Sequence, residues 1–202
     1  MPKHGHEDLR RVVLDASLAL VTEDGVAALS MREVARRAGV THGAPYHHFA
    51  DRGAILAALA VEGFEVLTTC MSEAVARAGT QPRAQLEASG RAYFAFAVEH
   101  PAYFRVMFRP ELFDPGEHPE VDAASARAFA VLVGIVSTGQ RVGGLAQGDV
   151  LSLVLTAWST AHGLAALWVD GPLSRGAQGL TPDPVELGLR VSQTLGGLFD
   201  RS

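Results

Sequence analysis

Apolar residues recur at helical spacing through nearly every ordered-looking segment of this chain, and no stretch alternates in the manner of a half-buried strand. Stripes of that kind are buried by packing helix on helix, so the expected fold class is all-α, with about nine helices. Leu9, Val13, Ala16 and Leu20 share one face of a first helix over 7–23, which Gly25 closes. Ser30, three residues before Glu33, makes a capping box that opens a helix over 31–38, and Thr41 can cap a third over 42–49. Asp51 opens a long fourth helix over 52–77. Pro82 and Pro101 bracket a fifth that ends near His100, residues 102–108 form a short sixth, and 110–119 is an acidic, proline-rich loop. A seventh covers 121–141, and an eighth, capped by Asp149, covers 150–169. After a Gly/Pro-rich connection at 171–183, Asp183-Pro184-Val185-Glu186 starts a ninth that ends near Phe199.

Composition narrows the function classes. Of 202 residues, 48% are apolar and 19% charged, ample for a sizeable core and too apolar for disorder. A net charge of −5 excludes a basic nucleic-acid coat, yet residues 1–60 are balanced and the excess acid lies beyond them. The single cysteine, Cys70, rules out a disulfide framework and a Cys-rich zinc site and suits a reducing cytoplasm. Residues 1–11 lack the apolar centre of a secretory signal. The uncharged run 150–169 is long enough to span a bilayer. Ser152, Thr156, Ser159, Thr160 and His162 interrupt it, however, and Asp149 and Asp170 flank it with no Lys or Arg nearby. It therefore reads as a helix buried on all sides inside protein, with no membrane partner.

Catalysis finds little to build on. GxSxG, HExxH, the P-loop and the dinucleotide fingerprint are all missing. His4 with His6, or His47 with His48, are the pairs placed to chelate a metal, but the first pair sits in an N-terminal tail and adjacent residues point to different helix faces. The expectation is no enzyme, no cofactor and no metal; a metal sensor and a helical-bundle binding protein without DNA remain the alternatives.

The informative segment is 30–52. Two short helices meet there at Gly39-Val40-Thr41, the arrangement of a helix-turn-helix, in which the second helix enters the major groove. Val34, Ala35 and Ala38 give a small apolar face, Val40 plugs the corner, and Gly39 suits a left-handed terminating residue. The exposed face of the third helix offers His42, Gly43, Ala44, Tyr46 and His47. Gly43 and Ala44 let backbone approach phosphate or base edges, His42 and His47 can donate or accept there, and Tyr46 can donate to phosphate. Phe49 reads as core. Residues 26–55 set Arg32, Arg36, Arg37 and Arg52 against Glu33 and Asp51, which turns this end of a net-acidic chain toward phosphate. Pro45 removes one helical hydrogen bond and crowds the Thr41 carbonyl, so an altered helix axis is expected.

The run from Leu29 to Leu56 resembles the TetR family of transcriptional regulators, through the capped second helix, the Ala-Gly-Val turn, Tyr46, His48-Phe49 and the Asp51-Arg52 start of a long helix. The detailed resemblance spans residues 7–60. Further on, Trp158, His162 and Gly163 look like the Trp–His–Gly signature of one C-terminal subfamily, and residues 100–112 fit it too. The resemblance implies a helix-turn-helix domain over 1–50 and a helical ligand-binding and dimerisation domain over 51–202. It implies DNA contacts at Thr41, His42, Ala44, Tyr46 and His48 and a phosphate grip at Arg52; Ser30, Arg32, Gly43 and His47 complete the candidate set.

The eighth helix carries two apolar stripes, and the ninth has a similar excess, so each needs a partner besides its own core. Val154, Ala157, Ala161, Leu164 and Trp168, with Leu187, Val191 and Leu195, are the candidate dimer residues, in the four-helix interface usual for this family. The family encloses a ligand among its fourth to eighth helices. Phe64, Tyr93, Phe96, Phe104, Met107, Phe108, Trp158 and His162 are the candidate lining, suited to a small, largely apolar effector. The implied function is a homodimeric repressor of double-stranded DNA, released from a near-palindromic operator when that effector binds and the fourth helix swings.

Overall fold

The computed structural model describes residues 6–114, 116–171, 173 and 183–199. Among these residues there is no strand. Eight α-helices follow in order: α1 (His6–Asp24), α2 (Met31–Ala38), α3 (Arg52–Arg77), α4 (Pro82–Glu99), α5 (Pro101–Met107), α6 (Pro119–Arg141), α7 (Val150–Val169) and α8 (Pro184–Leu198). Three short 3-10 helices lie between them, at Val26–Ala28, Ala44–His47 and Pro110–Leu112. Eight of the nine expected helices are thus α-helices with nearly the expected bounds, and the expected third is a 3-10 helix. Most of the connection at 171–183, and His4, lie outside the described residues.

The capping chemistry sets the boundaries. Ser30 Oγ accepts from the Glu33 amide at 3.2 Å, Asp51 Oδ1 from Ala54 at 2.9 Å, Asp149 Oδ2 from Ser152 at 2.7 Å and Asp183 Oδ1 from Val185 at 2.7 Å. Only half of the expected capping box forms at α2: the Glu33 carboxylate turns to the Arg36 guanidinium instead of returning to Ser30.

The chain groups into two compact units. Residues 1–64 with 101–125 form the first, and residues 65–100 with 126–202 the second. The first has its core where α1, α2 and the start of α3 meet, on Val13, Leu14, Leu20, Leu29, Val34, Ile55 and Leu56, all buried. In the second, α4 lies against both α7 and α8. Leu86, Ile135, Leu145, Ala157, Leu195 and Phe199 form its buried cluster. Three helices, α3, α6 and α7, have the length and apolar character of a bilayer span. Within the single subunit α7 is buried on one side only: Val154, Ala157 and Ala165 are buried, while Leu151, Ser152, Leu155, Thr156, Ser159 and Leu167 are exposed.

Candidate DNA-binding face and sensor residues

Helix α2 ends on Gly39 in the left-handed region, at φ 68° and ψ 27°. The Val40 amide donates to Ala35 O at 3.1 Å and the Gly39 amide to Arg36 O at 3.3 Å, which satisfies the last carbonyls of α2 and reverses the chain within three residues. The next turn starts with the Ala44 amide on Thr41 O at 2.9 Å. An α-helix would give that carbonyl the amide of residue 45, but Pro45 has none. The chain therefore closes i to i+3, with Tyr46 on Gly43 O and His48 on Pro45 O, and the recognition element becomes a 3-10 helix. Thr41 is not its cap; Gly43 occupies that place and makes no side-chain bond.

This turn is held by a buried Pro45 and a buried Phe49, and the Arg10 guanidinium lies 5.4 Å above the Phe49 ring. Its other side faces solvent. Thr41, His42, Gly43, Tyr46 and His47 are exposed, with Tyr46 at 50%, while Ala44 and His48 are half-buried. The rings of His42 and Tyr46, one helical step apart, lie 6.1 Å from each other. The structure thus gathers the candidate recognition residues on one open face.

The cations are arranged less simply. Arg36 is bound to Glu33, and Arg37 to Glu23 and Asp24. Arg52, expected to grip a phosphate, donates Nε to Leu29 O and Nη2 to Val26 O, each at 2.8 Å. It closes the C-terminal end of the Val26–Ala28 turn beside Ser30. Arg32 is exposed and makes no ion pair among the described residues.

Other contacts were illegible in the sequence. Glu62 on α3 takes Arg11 of α1 on Oε1 at 2.8 Å and the Tyr103 hydroxyl of α5 on Oε2 at 3.0 Å. Burial first, and then the Glu62 charge, push the Tyr103 phenol up to about 12. Beside this link α5 lies directly on Gly63: a Cβ there would stand 2.6 Å from Met107 Sδ and 3.0 Å from Tyr103 Cβ. Of the candidate ligand residues, Phe64, Phe104, Met107 and Phe108 belong to this first unit. The Phe108 ring meets Phe64 edge-on at 5.4 Å and lies 5.5 Å from Phe104.

Tyr93, Phe96, Trp158 and His162 belong to the second unit, and three of them, Tyr93, Trp158 and His162, meet there. The Trp158 ring lies 5.8 Å from that of His162, and the Tyr93 ring lies 6.3 Å from His162 on an edge. Tyr93 Oη and His162 Nδ1 share a hydrogen bond at 2.8 Å. Burial raises the Tyr93 phenol and lowers His162, so both are held neutral. Phe129 packs edge-on against Trp158 at 6.0 Å. A separate groove of about 460 Å³ runs between the end of α3, α4 and the start of α8, lined by Ala78, Ala88, Phe94, Ala95 and Val185, with Arg77 and Arg91 at its rim. Among the described residues no group of three or more His, Cys, Asp or Glu is placed to hold a metal.

Burial divides the candidate dimer residues within the single subunit. Val154, Ala157 and Leu195 are buried inside the second unit itself. Ala161, Leu164, Trp168, Leu187 and Val191 are half-buried at its edge. The exposed apolar residues are Leu151, Leu155 and Leu167 of α7 and Val185, Leu189 and Leu198 of α8. Between these helices Thr160, Val191, Thr194 and Leu198 line a shallow groove of about 220 Å³.

Comparison with known proteins matches both parts of this chain. Residues 13–59 fit the bacterial regulatory proteins of the tetR family, and residues 86–190 the tetracyclin repressor-like C-terminal domain. The transcriptional regulator BetI of Burkholderia thailandensis is 33% identical over 95 residues, covering 46% of this chain and 49% of that protein. The chain spans half or less of the length of the first curated relatives it matches. A protein of unknown function from Rhodococcus sp. RHA1 is similar over the full length of both chains, at 34% identity and a TM-score of 0.85. FadR of Bacillus subtilis, solved in complex with stearoyl-CoA, shares the fold at a TM-score of 0.74 and 19% identity, over 92% of this chain and 96% of that one. Taken with the helix-turn-helix geometry, the two domain matches place this chain in the TetR family of bacterial regulatory proteins.

Proposed function

We propose that this protein is a sequence-specific DNA-binding transcriptional regulator, acting as a homodimeric repressor that leaves a near-palindromic operator when a small, largely apolar ligand binds. The observation that carries the DNA half is the open face of the turn after Gly39, where His42, Tyr46 and His47 stand exposed on a buried Pro45–Phe49 footing. Short polar side chains on a rigid footing suit base-edge and phosphate contacts in a major groove. Arg32, exposed and without an ion pair among the described residues, supplies a cation, and Ser30, Thr41, Gly43, Ala44 and His48 complete the set. Arg52 positions this surface by fixing the chain before Ser30.

Two such surfaces in a two-fold dimer read two half-sites about 34–36 Å apart. The exposed Leu155 and Leu167 of α7 and Leu189 and Leu198 of α8, with half-buried Ala161, Leu164, Trp168, Leu187 and Val191 beside them, are the apolar surface for that pairing. On the sensing side, the second unit's hydrogen-bonded Tyr93–His162 pair, with Trp158 beside it, suits a largely apolar ligand with one polar atom, in keeping with the acyl ligand of FadR. Ligand and operator then oppose each other through one coupling free energy. Nothing in this reading calls for catalysis, a cofactor or a membrane, and it places the protein in the cytoplasm.

Selection of bound duplexes from a random DNA pool tests it. The wild type is expected to enrich a near-palindrome and the His42→Ala/Tyr46→Ala variant to enrich nothing. Equal enrichment by both, or none by either at low and moderate salt, overturns the reading.

A further inference from the structure

We propose that the groove between the end of α3, α4 and the start of α8 is a binding site for a chain-like monocarboxylate, its acid head at Arg77 and Arg91 and its alkyl body on a floor of alanines. The inference is independent of the DNA-binding reading. It concerns a second site, because Tyr93, Trp158 and His162 line no part of this groove.

The space follows from residue size. Ala74 and Ala78 line it from α3, and Ala88, Ala92 and Ala95 from α4. Methyl groups cannot fill what lies between such helices, and about 460 Å³ stays open. That volume is within the roughly 300–1,000 Å³ of small-molecule sites, which are apolar with a few polar groups. An alanine wall has no rotamers to lose when a ligand settles on it, so the ordering cost of binding is small. The floor is also fixed from behind. A Cβ on Gly188 would stand 2.7 Å from Phe94 Cδ1, so α8 rests directly on that ring, and Trp168 meets it edge-on at 6.0 Å. Val185, 76% exposed, adds apolar surface at the margin.

Charge decides which end takes the head. Arg77 meets Glu73 at 3.2 Å, but both side chains are exposed, and a surface pair of this kind exchanges readily for another anion. Arg91 reaches Glu87 only at 4.0 Å, and that carboxylate is already held by Arg83 at 2.9 Å. Both guanidiniums thus have N–H donors to give, in the planar fork that matches a carboxylate. The third charged lining residue, Glu99, lies beyond Arg91 on α4, about 12 Å along the axis at 1.5 Å per residue. On α3 the Cys70 thiol, raised by burial and then by the Glu99 charge, marks the same end, about 10 Å before Arg77. The groove is therefore cationic at one end and anionic at the other. It welcomes one acid group on an apolar chain and repels a second at the far tip.

Equilibrium dialysis of radiolabelled decanoate against the full chain, with 1-decanol and decanedioate as competitors, tests the site. Decanoate is expected to bind saturably, and each competitor about tenfold more weakly or worse. Arg77→Gln/Arg91→Gln is expected to weaken decanoate about tenfold or more, while Arg127→Gln, which removes an exposed α6 cation paired with Glu65, stays within about twofold of wild type. Glu99→Gln is expected to admit decanedioate. Ala92→Leu fills the groove without touching a charge and is expected to exclude decanoate, with far-ultraviolet dichroism checking that each variant stays helical. Absence of saturable binding, parity of either competitor in the wild type, or rejection of decanedioate by Glu99→Gln overturns the proposal. So does decanoate binding that survives the arginine double variant or Ala92→Leu, which would put the carboxylate elsewhere in the chain and leave the DNA-binding reading untouched.

Discussion

Tyr93 of α4 and His162 of α7 share a hydrogen bond at 2.8 Å, which ties the two helices together. Because burial lowers His162 below its ordinary 6.5, the folded state resists the proton that the unfolded chain accepts. The stability from this group is therefore complete above about pH 6.5 and is lost as pH falls from there through the folded value. Urea denaturation between pH 7.5 and 5 should show this loss, and His162→Gln should flatten the curve over that range; an unchanged slope would mean the imidazole is not held neutral. None of this pairing was legible in the sequence, since Tyr93 and His162 lie 69 residues apart and spacing says nothing about such partners. Their place among the ligand candidates came from the aromatic cluster and the family resemblance. Arg52 shows the same limit: residue type and position suggested phosphate, whereas its two carbonyls stand 23 and 26 residues upstream.

At the scale of elements, local rules carried far. Ser30, Gly39, Asp51, Asp149 and Asp183 act within two to five residues of themselves, and each opens or closes a helix where the sequence placed it. The recognition element departed from expectation although its cause, Pro45, was visible. A missing amide predicts a tilted α-helix axis, whereas the chain tightens to i+3 closure. The seating of α5 on α3 had no local signal, because a glycine inside a helix does not announce which helix will approach it. Gly63 is that site, with Met107 and Tyr103 in the way of any added side chain. Gly63→Ala should cost about 1–3 kcal/mol as Met107 is pushed aside, read from chemical denaturation. A neutral result would show that α5 can shift without cost.

For the whole molecule, the sequence recognised that α7 and α8 carry more apolar surface than one core consumes. It could not say which stripe faces inward, because both have helical period. Burial decides: Ala157 is in the core, while Leu155 and Leu167 point away from it. Leu155→Glu/Leu167→Glu is expected to halve the mass seen by sedimentation while keeping helical dichroism, and Ala157→Glu to unfold the chain. A double variant that stays dimeric would move the interface elsewhere. The recognition turn sets a different limit on the assembly. Four residues of 3-10 helix rise only about 8 Å, the span of two or three stacked base pairs. A reader that short takes in a word of few letters, common by chance in any genome. In the proposed dimer, most of the address is therefore written in the distance between two copies of that word, and an operator lengthened by a single base pair becomes illegible although every letter is kept.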